Sequence, residues 1–324
     1  MGAARVMFVA CLASCGGGSH VTIDADIDAA GPQWWQPKVG EAKDWDIQLT
    51  MPDVSTPRMM YDLNLWDLVP SQMTLDYGDG APVTVPAGSL AGTIAQLHAR
   101  TPSTIVICHV ETGILDLALP DASKFPGYDA DSTKIPDKPT NPAAGSVIGW
   151  RVNMSMKRWL DISEAGRAKW IPIMFKRFDL AKQIGCDGVE PDRNLAAQFS
   201  EFTGFGIMTT DSYSWFTEIA KQGHARMLST GMKNGHTVAS LTDMEADKFD
   251  WLMIERCGED LNCDLARPFI NLQKAVFAID YDHSAEGDAQ SSGLLCPQQQ
   301  LAMIADGIFK DVGLTKNVRT PCNP

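Results

Sequence analysis

Thr104-Ile105-Val106-Ile107-Cys108-His109-Val110 is an apolar, largely β-branched run that turns polar only at its end, where Glu111 follows His109 and Val110. Such a run marks a strand buried on both faces, as in parallel sheets covered by helices. The same form recurs along the chain. Asp46-Ile47-Gln48-Leu49 and Met59-Met60-Tyr61-Asp62-Leu63-Asn64 precede it. Ser146-Val147-Ile148-Gly149-Trp150, Cys186-Asp187-Gly188-Val189-Glu190-Pro191-Asp192, the segment 227–234, Asp250-Trp251-Leu252-Met253-Ile254-Glu255 and Ala275-Val276-Phe277-Ala278-Ile279-Asp280 follow it. Helical spacing appears between them: Leu90, Ile94 and Leu97 in 89–100, then Ile171, Phe175, Phe178 and Ala181 in a stretch that Asp161 or Ser163 can cap and Gly185 ends. Further helices are expected over about 212–225 and 298–309, and an irregular loop over 127–145. Seven or eight strands with helical connections predict a single-domain, TIM-type (β/α)8 barrel in the α/β class. No glycine-rich phosphate fingerprint follows any strand, which argues against a dinucleotide-binding sheet.

The 324 residues carry 27 basic and 40 acidic side chains, a formal charge of −13. That balance repels phosphate backbones, so nucleic acid is not expected as a partner, and it favours a cationic ligand at long range. Acidity also keeps an exported protein soluble. Residues 1–15 read as a signal peptide: Arg5 precedes a short apolar run, and Leu12-Ala13-Ser14-Cys15 resembles the bacterial lipobox, whose cysteine is lipidated. Residues 16–33 then form a flexible tether and 34–324 the barrel domain. These features predict a monomer exported to the bacterial cell envelope, touching the membrane only through the lipid on Cys15.

Export permits disulfides. Of eight cysteines, Cys257 and Cys263 flank an acidic turn, and Cys296 and Cys322 bracket the C-terminal helix, so both pairs are expected to bridge. Cys108 and Cys186 sit in apolar runs, where a buried free thiol is the commoner outcome, and the sequence leaves open whether the two meet. No CxxC pair occurs and the six histidines are scattered, so neither a metal nor a cofactor is expected.

The chemistry shows where the strands end. Asn64, His109 with Glu111, Glu190 with Asp192, Lys233 with Asn234, Glu255 and Asp280 close successive strands, and in a barrel these ends converge on the C-terminal mouth. A carboxylate closing an apolar strand is costly to bury unless it is paired. Two carboxylates on different strands are the minimum equipment for cleaving a glycosidic bond, one attacking or activating water and the other protonating the leaving oxygen. Trp45, Trp66 and Trp150 fall near strand ends and are candidate sugar platforms. Asp62, two residues before Asn64, shares its face.

Gly185 to Asp192, Gly231-Met232-Lys233-Asn234, and Ile254-Glu255-Arg256-Cys257 with Cys263 resemble glycoside hydrolase family 114 in order and spacing. Further matches run from Trp45 to Lys274-Ala275-Val276-Phe277, so the resemblance covers roughly residues 34–310. It implies endo-α-1,4-polygalactosaminidase activity on a galactosamine-containing exopolysaccharide, cationic where its amines are protonated. It also implies Asp192 and Glu255 as the catalytic pair. Asp192 would be the ionised nucleophile, oriented by Lys233, and Glu255 the general acid and base, with a pKa raised by partial burial. Glu190 would meet a substrate amine or hold Lys233.

The chain departs from the family pattern at Asn64, His109, Glu111, Arg193 with Asn194, and Arg256, which changes the charge of the mouth. A carbohydrate-binding lipoprotein without turnover therefore stands as the alternative. A metal-dependent hydrolase built on His109, Glu111 and Asp280 is a third reading.

Overall fold

The computed structural model describes residues 33–323 except 139, 154 and 239. The signal peptide, the lipobox with Cys15 and all but the last residue of the tether lie outside the described residues. Residues Trp34–Pro324 form one compact unit.

The chain enters it through β1 (Trp45–Gln48) and β2 (Met60–Asn64), a β3 (Met73–Leu75) and β4 (Val83–Val85) hairpin, α1 (Thr93–His98) and β5 (Ile105–Glu111). There follow β6 (Ile114–Asp116), β7 (Ile148–Arg151), β8 (Lys157–Leu160), α2 (Glu164–Ile184) and β9 (Gly188–Asp192). After these come α3 (Thr209–His224), β10 (Ser229–Lys233), α4 (Leu241–Glu245), β11 (Trp251–Glu255) and α5 (Arg267–Asn271). The chain closes with β12 (Val276–Asp282), α6 (Ser292–Leu301), β13 (Ile308–Asp311) and β14 (Arg319–Pro321). Strands β1-β2-β5-β9-β10-β11-β12-β13 pair in parallel in that order, and β14 adds antiparallel to β13. Across the seam between β13 and β1, Lys310 Nζ binds Asp46 Oδ1 at 2.9 Å and Leu49 N–H donates to Leu314 O at 3.0 Å. This is the TIM-type (β/α)8 barrel.

Strand periodicity sorts the side chains. Trp45, Ile47, Met60, Ile107, Trp251, Met253, Phe277, Ile279 and Ile308 fill the barrel interior as one cluster. The alternate residues, such as Tyr61, Leu63, Val106, Cys108 and Leu252, pack outward into a larger cluster with the helices. Gly231 faces inward opposite Trp251, and a Cβ there would lie 2.2 Å from the indole, so only glycine fits beside it. Helix α2 begins on the Ser163 side chain, which accepts from Gly166 N–H, and ends at Gly185, which adopts φ 100°. Both caps agree with the sequence.

Three expectations change. Ser146 to Trp150 does form a strand, β7, but it belongs to a separate antiparallel sheet ordered β6-β8-β7. The closing helix stops at Leu301, and Ile308-Phe309 belong to the eighth barrel strand. Cys108 and Cys186 are not free thiols: they form a disulfide, because Cys108 faces outward on β5 and Cys186 enters the neighbouring β9, with their Cα atoms 6.0 Å apart. The expected Cys257–Cys263 and Cys296–Cys322 bridges are both present. No helix among the described residues is long and apolar enough to cross a membrane.

Candidate active site

The barrel interior changes character towards the C-terminal ends of its strands. Above the apolar layers lies a buried polar layer of Asp62, His109, Glu190 and Lys233. His109 and Glu190 are direct cross-strand partners in register, as are Glu111 and Asp192 one layer higher. His109 Nδ1 hydrogen-bonds Glu190 Oε2, and Lys233 Nζ lies 2.6 Å from Glu190 Oε1. Glu190 is thus held between two cations. Burial opposes the charge on His109, but the Glu190 carboxylate outweighs it and raises the imidazole to about 9. The same competition leaves Lys233 above its ordinary value. Asp62 moves the other way: burial, then the nearby Glu190 charge, push its carboxyl well above the usual range, and neither of its oxygens has a hydrogen-bond partner. Burial thus disfavours the charged form of Asp62.

The layer above opens to solvent as a cavity of about 240 Å³, lined in part by Trp66, Glu111, Asp192, Arg193, Glu255 and Lys157. Asp192 is buried at 8% exposure. Desolvation opposes its ionisation, yet the charges of Lys233, Arg193 and His109 and the Arg193 N–H hold its carboxyl down at about 2. Arg193 N–H donates to Asp192 Oδ1 at 2.6 Å. Glu255 is more open, with 22% of its side chain exposed. It accepts from the Tyr281 hydroxyl and from Asn234 Nδ2, and its own N–H donates to Asn234 Oδ1 at 2.8 Å. Lys233 Nζ stands 3.6 Å from it. Arg193, Asn234 and Arg256, each following an inward residue at a strand end, have φ of 63°, 52° and 63°. Such left-handed residues cost about 1–2 kcal/mol each when not glycine, and here they turn the chain off the barrel just after Asp192, Lys233 and Glu255.

The other expected residues separate by position. Asn64 lines the cavity, and its Oδ1 accepts from Trp66 N–H at 2.9 Å, which sets Trp66 at the rim. Glu111 binds Lys157 Nζ, and its carbonyl accepts from Arg177, whose guanidinium grips Asp121 at 2.8 and 2.9 Å. Asp62 and Glu190 lie beneath the cavity with no exposed surface, so they act through their neighbours and do not reach substrate. Asp280 points out of the barrel: it accepts from Gly258 and Glu259 N–H at 2.9 and 3.1 Å and from Gln299 at 2.6 Å, fixing the loop after Glu255. Trp45 sits at the opposite, N-terminal end, fully buried, with Nε1 donating to Asp306 O at 2.8 Å. Trp150 lies beside this cavity, in a neighbouring cleft that shares Arg193. Tyr281, Arg193 and Lys157 were missed by the strand-end reading.

Asp62, His109 and Glu190 bring ligand-type atoms within 4.8 Å of one another. Lys233 and the protonated His109 already meet the negative charge of that cluster, so its donor set does not suit a further cation. His109, Glu111 and Asp280 are not brought together, since Asp280 faces α6.

Two strand-end carboxylates share one cavity: an ionised Asp192, and a Glu255 held by a hydroxyl and an amide. This is the equipment of glycosidic bond cleavage. The Aspergillus fumigatus protein Ega3, solved in complex with galactosamine, is 25% identical over 89% of this chain and 97% of its own, with a TM-score of 0.64. The glycoside hydrolase domain of PelA from Pseudomonas aeruginosa shares the fold at 11% identity, covering 86% of this chain and 98% of its own, with a TM-score of 0.53. No curated protein sequence matches the chain. The family model of glycoside hydrolase family GH114 matches residues 25–323, which takes in the whole of the described barrel, and the chain belongs to that family of glycoside hydrolases.

Proposed function

We propose that this hydrolase cleaves within α-1,4-linked, galactosamine-containing polysaccharide, with Asp192 and Glu255 as its catalytic carboxylates. The observation that carries the reading is the split among inward carboxylates. Glu190 is buried between two cations and burial disfavours a charge on Asp62, while Asp192 and Glu255 face the same cavity. Asp192, ionised at any working pH, attacks the anomeric carbon as Glu255 gives its proton to the leaving oxygen. Glu255 then takes a proton from the water that releases the sugar from Asp192. Tyr281 and Asn234 hold the Glu255 carboxyl in line for both steps.

The substrate assignment draws on Ega3, whose complex holds galactosamine, and on the formal charge of −13, which favours a polycation. Three disulfides suit an oxidising, extracellular setting. We place the enzyme at the bacterial cell surface, anchored through Cys15 and acting as a monomer.

Purified protein incubated with a deacetylated α-1,4-galactosamine polymer should release new reducing ends, and Asp192→Asn or Glu255→Gln should lower the rate at least a thousandfold while remaining folded. Unchanged turnover in both variants would remove the assignment.

A further inference from the structure

A second cavity, of about 840 Å³, adjoins the catalytic one and shares Arg193 with it. Its apolar walls are Trp150, Trp159, Phe199 and Phe202. Phe199 and Phe202 are 38% and 48% exposed, an unusual display of aromatic surface beside an active site. Trp159 and Phe199 sit with centroids 5.7 Å apart. The walls are tied together, because Trp150 N–H donates to Thr203 O at 2.9 Å and its Nε1 donates to Thr140 O at 2.7 Å. Gly149 permits that approach, since a Cβ there would meet Thr203 O at 2.1 Å. The cleft is therefore preformed.

Its charge is opposite in sign to that of the whole chain. Among the described residues, Lys138, Arg151 and Arg193 line it against a single carboxylate, Asp137, which already pairs with Arg151 at 3.2 Å. The Lys138 ammonium lies 4.6 Å from the Phe202 ring centroid and 5.8 Å from that of Trp150, so the protein itself already sets one cation against these rings. A protonated amino sugar would bring a further positive charge beside Lys138, while Arg151 and Arg193 are held by Asp137 and Asp192. An uncharged pyranose would stack on the rings, with Lys138 and Arg193 donating to its hydroxyl or acetamide oxygens.

We infer that this cleft is a subsite for an uncharged unit, an N-acetylated hexosamine or a hexose, of the same polysaccharide chain whose bond is cut at Asp192 and Glu255. The inference rests on the hydrolase reading above and sharpens it: the preferred substrate is partly N-acetylated, with an uncharged unit on the Arg193 side of the cleaved bond.

Calorimetric titration of the Asp192→Asn protein with oligosaccharides of one length, either N-acetylgalactosamine or galactosamine, tests this without turnover. The N-acetylated ligand should bind at least tenfold tighter. Phe202→Ala should erase about tenfold of its affinity, and Lys138→Glu should shift the preference towards the galactosamine ligand; both positions are exposed, so folding is not at stake. Tighter binding of the galactosamine ligand, or affinities unmoved by either substitution, would overturn the subsite even where cleavage stands. Binding as expected in a protein that cleaves neither polymer would keep the subsite and overturn the hydrolytic reading instead.

Discussion

Lys233 Nζ lies 2.6 Å from Glu190 Oε1 with neither side chain open to solvent, and the same ammonium stands 3.6 Å from Glu255. One buried cation thus pairs with Glu190 beside His109 under the cavity and faces a proposed catalytic carboxyl above it. Removing one partner of such a pair strands the other charge, at a cost of about 3–5 kcal/mol. Lys233→Met should therefore lower the urea midpoint strongly and also lower activity. Adding Glu190→Gln to it should restore much of the stability but not the activity, because Glu255 still lacks its cation. Equal recovery of both would show that Lys233 serves the fold alone.

Tyr281 gives a cleaner separation of fold from chemistry. Its hydroxyl donates to Glu255, and burial followed by the Glu255 charge keeps the phenol well above its ordinary value, so it remains a donor throughout the useful pH range. Tyr281→Phe should lower kcat about tenfold, in line with loss of an orienting contact to a general acid and base. Stability should change little, since Glu255 keeps Asn234 and its solvent-facing edge. A kcat equal to the parent's would show that Asn234 and Lys233 suffice to place the carboxyl.

Much of this site was legible because strand ends in a barrel converge, and polar residues closing apolar runs stand out in the sequence. Direction was harder to read than position. Asp280 and Tyr281 are neighbours near the end of β12, and the acid drew attention as the charged one. Counting in twos from Phe277 and Ile279, which fill the barrel interior, selects Tyr281 as inward and sends Asp280 outward towards α6. The same count places Asp62, His109, Glu190 and Asp192 inward, and depth then divides them into buried and open. Trp45 also faces inward, but it stands first on its strand, so it plugs the base of the barrel. Ile308-Phe309 escaped because a short apolar run after a helical stretch has no period of its own. Arg193 stood out only as a departure that changes the charge of the mouth, since its place beside Asp192 depends on a left-handed turn.

The Cys108–Cys186 bridge closes a loop across 78 residues, against 6 for Cys257–Cys263. Loop entropy grows with the logarithm of that length, giving about 4.5 kcal/mol for the long loop and about 2 kcal/mol for the short one. The bridge also staples β5 to the entrance of β9, the two strands that carry His109, Glu111, Glu190 and Asp192. Cys108→Ser with Cys186→Ser should lower the melting temperature more than the same change at Cys257 and Cys263. The reverse order would show that the β5–β9 ladder holds without its staple.

His109 predicts how stability depends on pH. Its folded-state value is raised to about 9 by Glu190, against about 6.5 in an unfolded chain. Below pH 6.5 both states carry the proton and the ion pair contributes in full. Between 6.5 and 9 only the folded state holds it, so each step up in pH removes stability, and above 9 the contribution is gone. The span corresponds to a loss on the order of 3 kcal/mol. His109→Gln keeps a donor to Glu190 but cannot titrate, so it isolates this group from the rest of the protein. The stability gap between parent and variant, read from urea unfolding at pH 6 and pH 9.5, should be large at the lower value and nearly closed at the higher. A gap that stays constant across that range would mean that His109 titrates alike in the folded and unfolded chain, so that Glu190 does not hold its proton.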